Sequence, residues 1–287
     1  MISAFGARPR SIGAARGTLL STPPTTGRAR LPTLIVAAAV IGLIAHGDVL
    51  AQDKPPSPTG APATIKDERA LKLLKGMTDT LAQAKTLSFS ARSLVPTAGP
   101  NGQWISLLGT SRVVMQRPDK LFVEMRGDVF PNDLYLDGKT WTAIAPNEKL
   151  YAQRPAVGQT IDAIIDDAYA NKEDLFPFAD VLPSDAYVRL TRDLSSALYV
   201  GQSTIGGAKV DHLALSGKGL DWEIWIGTAD RLPRFMMGAY RDLERNPTFW
   251  VEFADWKVNP RIPPKTFTPA IAADAKKIEF KRERAAQ

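Results

Sequence analysis

His212 and its neighbour Asp211, in "VDHLALSG", form the one adjacent histidine–carboxylate pair in the body of this 287-residue chain; the only other histidine, His46, lies in the N-terminal leader. A histidine held by a carboxylate would serve as a general base. Consecutive strand residues point to opposite faces, however, so these two cannot orient each other, and His212 reads as a surface or internally satisfied strand residue. The acidic run Asp162, Asp166, Asp167, Glu173 and Asp174 offers oxygen donors of the kind a divalent cation takes, with Asp162 and Asp166 one helical turn apart. The same segment carries an apolar stripe, which makes the carboxylates the solvated side of an amphipathic helix. "GQSTIGG" lacks the spacing of a nucleophile elbow and reads as a strand entering a glycine turn, and the chain has neither a P-loop nor a dinucleotide glycine fingerprint. It also has no cysteine, which removes thiol catalysis, thiolate metal sites, disulfides and acylation at a cysteine together. The parts for nucleophilic, metal or nucleotide catalysis are missing, so no enzyme activity and no cofactor is expected.

What the chain does possess in quantity is apolar side chains at regular spacing, and the elements that carry them follow from the period. "KDERALKLLKGMTDTLAQAK" places Leu71, Leu74, Thr78 and Leu81 at three- and four-residue steps, predicting an amphipathic helix over 66–85. From Thr86 the period becomes two. Strands are predicted over 87–95, 104–116 and 120–128, then through the hairpins of "LYLDGKTWTAIAPNEKLYAQ", where Asp137 and Gly138 are expected to supply the positive-φ residues of a two-residue turn and Pro146-Asn147 the next turn. Five more follow over 197–204, 209–216, 221–227, 234–241 and 248–257. Between the two groups, Ile161, Ile164, Ile165 and Ala168 mark one inserted helix and a Ser184 cap another.

Along these strands the large apolar residues alternate: Leu121, Val123 and Met125; Leu134 and Leu136, with Trp141 on the next strand; Ile224 and Ile226 behind Trp222; and Phe249, Val251 and Phe253. In a flat sheet they would pack on helices, and in a strongly curved one they would line an interior. The fold class is α+β and mainly β, one domain over residues 66–280. Ahead of it, Arg8, Arg10, Arg16, Arg28 and Arg30 precede the apolar run Leu31–Ala45 and small residues up to Ala51, a secretory leader over residues 1–51 that is either cleaved after Ala51 or kept as an inner-membrane anchor. A Pro-rich linker spans 52–65 and a charged tail 281–287. The leader holds +4 of the net charge of +6, leaving +2 for the body, which gives no reason to expect a nucleic-acid partner.

At "RPDKLFVEM" followed by "LYLDGKTWTAIAPNEKLYAQ", and again at "IWIGTADRLPRFM" and "PKTFTPA", the order of features resembles the periplasmic lipoprotein carrier family. Residues 66–280 as a whole resemble the predicted periplasmic proteins of the domain of unknown function 2092 family, related to the carriers in fold. The resemblance implies an incomplete antiparallel β-barrel with helices lidding or plugging a hydrophobic cavity. It further implies a periplasmic, non-enzymatic carrier of a lipid, an acylated lipoprotein or another lipophile, in transient contact with a membrane. Leu121, Val123, Met125, Leu134, Leu136, Trp141, Ile224 and Ile226 carry over as cavity-lining residues on the matched strands. The alternative is a cell-envelope protein-interaction module whose barrel is filled by its own side chains. The basic leader and the insert between 155 and 196 depart from the carriers.

Overall fold

The structure is a computed structural model that describes residues 64–128, 131–171 and 176–280. The leader, the linker as far as residue 63, Glu173, Asp174 and the charged tail lie outside the described residues. The first element is the helix α1, Glu68–Gln83, started by Asp67, whose Oδ1 accepts a hydrogen bond from the Arg69 amide at 2.7 Å. Ala70, Leu74, Met77, Thr78 and Leu81 form its buried stripe, as their spacing requires.

Six strands then run as a meander: β1 Thr86–Ala98, β2 Trp104–Gln116, β3 Lys120–Gly127, β4 Asn132–Asp137, β5 Thr140–Ala145 and β6 Leu150–Pro155. The insert follows, with α2 Ile161–Ala170 and the short α3 Ala186–Thr191. A second meander is built from β7 Leu194–Ile205, β8 Ala208–Gly217, β9 Leu220–Gly227, β10 Pro233–Tyr240 and β11 Thr248–Val258, and β12 Lys276–Ile278 closes the chain. All twelve strands belong to one sheet in the order β12-β6-β5-β4-β3-β2-β1-β11-β10-β9-β8-β7. The pairing of β1 with β11 joins the two meanders, and β12 runs parallel to β6 while the other neighbours are antiparallel. The sheet is open, with β7 and β12 as its edges. Residues 65–67 shield part of the β7 edge: the Ala197 amide donates to the Ile65 carbonyl and the Asp67 amide to that of Ala197.

Two local expectations are corrected. Between β4 and β5 only Gly138 has positive φ, 93°. The two turn residues are Gly138 and Lys139, and Asp137 serves instead as an acceptor for the amides of Lys139 and Thr140. Ser184 caps no helix: its hydroxyl and amide both donate to Asp162, and α3 begins two residues later behind Asp185. In β11 the alternation slips at Asp255, φ 55°, where the register against β1 shifts. Strict alternation would put Trp256 beside Trp250 on the outer face; the slip turns it inward, onto Phe89 and Phe253.

The two faces of the sheet are covered differently. On the inner face the strands share one large apolar cluster with α1, α2 and the segment 176–182. On the outer face of the first meander, Val114, Phe122, Tyr135 and Ile144 are covered by Ile262, Phe267 and Ile271 of the chain beyond β11, which runs back across the sheet before adding β12. No such cluster lies on the outer face of the second meander among the described residues.

Candidate functional site

The eleven alternating residues singled out in the sequence all join the inner-face cluster. Cross-strand pairing explains why. Leu121 lies opposite Leu136, which lies opposite Trp141, and Val123 opposite Leu134, so β3, β4 and β5 present one continuous apolar surface. On the other meander Met236 bridges Ile224 and Val251, and Gly238 bridges Trp222 and Phe249. A Cβ on Gly238 would lie 2.6 Å from the Phe249 ring, so glycine is what lets that ring lie over the strand. Phe253 pairs with Ala91 of β1, linking the halves, while Met125, towards the end of β3, is only partly buried against the cluster.

The helical insert sits on this surface. Phe178 meets Phe89 edge-on at 5.4 Å between centroids and Phe253 at 6.5 Å, with Phe176 stacked behind it at 4.9 Å. Val123, Leu136, Ile224 and Val251 are 0% exposed, with protein atoms closing over them. Two arginines tie the insert to its surroundings, and a third, Arg189, joins its two helices. Arg117, at the end of β2, donates to the Leu182 carbonyl at 2.7 Å and to that of Leu81 at 3.3 Å, and its burial lowers its pKa. Arg154 of β6 pairs with Asp167 at 3.0 Å, and Arg189 of α3 pairs with Asp166. Asp162, Asp166 and Asp167 are thus engaged in polar contacts with the protein itself, and among the described residues no group of three or more His, Asp or Glu side chains could hold a metal.

Within the apolar cluster lie polar groups that alternation does not reveal. Asp180, 4% exposed, accepts a hydrogen bond from the Tyr169 hydroxyl at 2.8 Å. Burial, with Asp180 beside them, pushes the phenols of Tyr169 and Tyr240 far up, so both stay protonated. The signal for this group was one aspartate inside the apolar run "FPFADVL". Trp222 is buried too, and its indole N–H has no hydrogen-bond partner among the described residues.

The pair that opened the sequence reading is split by the strand. Asp211 accepts from Tyr199 and Gln202, while His212 stacks on Trp225 at 4.1 Å and holds Glu223 through Nε2 at 2.6 Å. No helix among the described residues is long and apolar enough to cross a membrane.

Residues 70–281 match the family described as predicted periplasmic protein, DUF2092. No curated protein matches the chain. Among solved structures, an uncharacterized conserved protein from Thermus thermophilus is similar at a TM-score of 0.44 and 12% identity, over 74% of this chain and 100% of that one. The lipoprotein LppX of Mycobacterium tuberculosis is similar at 0.39 and 8% identity, over 69% and 99%. The MucA/MucB complex of Pseudomonas aeruginosa contains a chain similar at 0.39 and 13% identity, over 73% of this chain and 63% of that one.

Proposed function

Because the chain belongs to the family of predicted periplasmic proteins DUF2092, we propose that it is a non-enzymatic periplasmic binding protein or carrier for a lipid, a lipoprotein acyl chain or another lipophilic ligand. The observation that supports this most directly is the indole N–H of Trp222, a buried donor without a partner inside an apolar cluster spanning both meanders. A buried polar group left unpaired costs about 1–3 kcal/mol. An acceptor on a ligand, such as an ester carbonyl, would satisfy it while the ligand's chain lies along Ile224, Phe249 and Val251.

In this reading the insert is the gate. The Phe176–Phe178 pair occupies the apolar face when no ligand is bound, and opening breaks the hydrogen bond from Arg117 to the Leu182 carbonyl. An acyl chain then replaces the rings, with burial contributing about 0.8 kcal/mol per methylene. The leader over residues 1–51 directs export, and the folded body over residues 66–280 meets the membrane or an acylated lipoprotein only during transfer.

A second reading is an envelope protein-interaction module with a self-filled core, favoured by how completely Phe176 and Phe178 already cover the apolar face. Native and denaturing mass spectra of the chain, expressed in a bacterial periplasm and recovered without detergent, separate the two. The carrier reading expects an excess native mass that extracts into organic solvent, reduced in Trp222→Phe. A bare protein mass, with no uptake when phospholipids are offered, would overturn it in favour of the interaction module. The denatured mass also reports whether the chain is cut after Ala51.

A further inference from the structure

The chain beyond β11 grips the first meander from both sides. It leaves the sheet at Asn259, whose amide donates to the Thr86 carbonyl at 2.8 Å, and lays Ile262, Phe267 and Ile271 over the outer face. It then turns the β6 edge at Asp274, which pairs with Lys149, and enters the sheet as β12. β12 lies parallel to β6, with Lys276 opposite Leu150 and Ile278 opposite Ala152. Two residues further the same register sets Phe280 beside Arg154, whose guanidinium lies 5.1 Å from the centre of the Phe280 ring. Phe280 packs, partly buried, against the inner-face cluster. A strap that begins on the outer face thus ends on the inner one.

Arg154 is the side chain that this end reaches. Its ion pair with Asp167 at 3.0 Å ties β6 to α2, and both side chains are largely withdrawn from solvent, at 9% and 15% exposure. Such a pair is much stronger shielded than in water. The Phe280 ring is part of the shield, and the shortest strand of the sheet holds it there. β12 has three residues, all exposed, on an edge, and the Lys149–Asp274 pair that precedes it is exposed as well. Short edge pairings of this kind open well before the sheet they join. The start of α2 is anchored differently: the Ile161 amide donates to the Pro118 carbonyl at 2.9 Å, and Asp162 accepts from the Ser184 amide. Asp167 stands in the last turn of α2, so weakening its tie frees that end while the first turn stays fixed.

We propose that β12 and Phe280 form a releasable latch on the insert. Peeling β12 from β6 removes the Phe280 ring from Arg154, admits water to the Arg154–Asp167 pair and lets α2 swing out about its anchored first turn. The gap opens between α2 and β6. Its use as an entrance rests on the carrier reading, whereas the latch itself does not, because the order in which these contacts open is measurable without a ligand.

The chain has no cysteine, so one reversible bond can hold the latch shut. Ala152→Cys with Ile278→Cys puts thiols on facing residues of adjacent strands, within disulfide reach. Hydrogen exchange is followed in the full-length double variant, oxidised and then reduced, and in Phe280→Ala and Phe280→Leu beside the unaltered chain. The latch predicts that amides of 165–170 exchange roughly tenfold slower oxidised than reduced, and roughly tenfold faster in Phe280→Ala, while β8–β10 stay unchanged. Phe280→Leu, which keeps apolar cover but not the ring face over Arg154, should fall between Phe280→Ala and the unaltered chain. Equal exchange of 165–170 in all of these proteins overturns the proposal. So does a change spread evenly over 165–170 and the strands, which would make Phe280 an ordinary stabilising contact. The Phe280 variants need no disulfide and decide the matter even where the bond distorts the edge. Uptake from phosphatidylethanolamine–phosphatidylglycerol vesicles is measured on the same proteins: exchange that follows the latch with no uptake in any form supports the latch and removes the carrier reading.

Discussion

Asp180 shows what a single polar residue does inside an apolar cluster. Asp180→Ala leaves the Tyr169 hydroxyl buried without its acceptor, and is expected to cost about 1–3 kcal/mol in urea unfolding. Asp180→Asn, which keeps an acceptor oxygen, should cost less. The raised pKa of Tyr169 gives a signed pH dependence. The native state holds the phenol protonated, so its contribution is fully present below the unfolded value of about 10 and is lost as pH rises beyond it. Stability should therefore fall between pH 9 and 11, and less steeply in Tyr169→Phe; equal slopes would remove the tyrosine from the account. At this scale the sequence was legible where alternation applies. Val123, Leu136, Ile224 and Phe249 all reach the cluster their spacing assigns them. Asp180, Tyr240 and Trp256 escaped because their placement depends on neighbours far along the chain and, for Trp256, on a slip in the alternation that period-two counting cannot register.

The elements follow from shorter-range causes. The β4–β5 hairpin depends on Gly138, whose φ of 93° disfavours other residues and whose Cβ would lie 2.5 Å from Asp119 Oδ2. Gly138→Ala should lower stability by about 1–2 kcal/mol, measured as a shift in the urea midpoint. The segment after β11 has a different origin. "PKTFTPA" has no period, yet Phe267 is 2% exposed, buried against the outer face of β3 and β4. Phe267→Ala is expected to cost about 3–5 kcal/mol if the cavity stays open, with greater binding of a hydrophobic dye. A loss below about 1 kcal/mol would mean the segment merely rests on the sheet. Helix and strand positions were readable because period reports burial on one face; the covering role of an aperiodic segment was not.

For the whole molecule, the functional reading turns on whether the insert leaves the inner face. Arg117→Met removes the hydrogen bonds to Leu182 and Leu81. It should speed hydrogen exchange in 176–192 before it affects β8–β10, and in the carrier reading should also speed lipid uptake. Uniformly faster exchange across the sheet would mean that the insert and sheet unfold as one unit. The sequence by itself determined the local order of the chain: α1, two groups of strands, the insert between them, and, apart from the slip in β11, which residue of each strand turns to the apolar side. Those features rest on spacing and turn chemistry, which act within a few residues. Only the tertiary structure decided that β1 pairs with β11 to make one open sheet, that Phe178 covers Phe253, and that the segment after β11 covers the outer face of the first meander. Each of these joins residues far apart in sequence, and such pairings follow from competition among apolar surfaces for cover rather than from the pattern along any one segment.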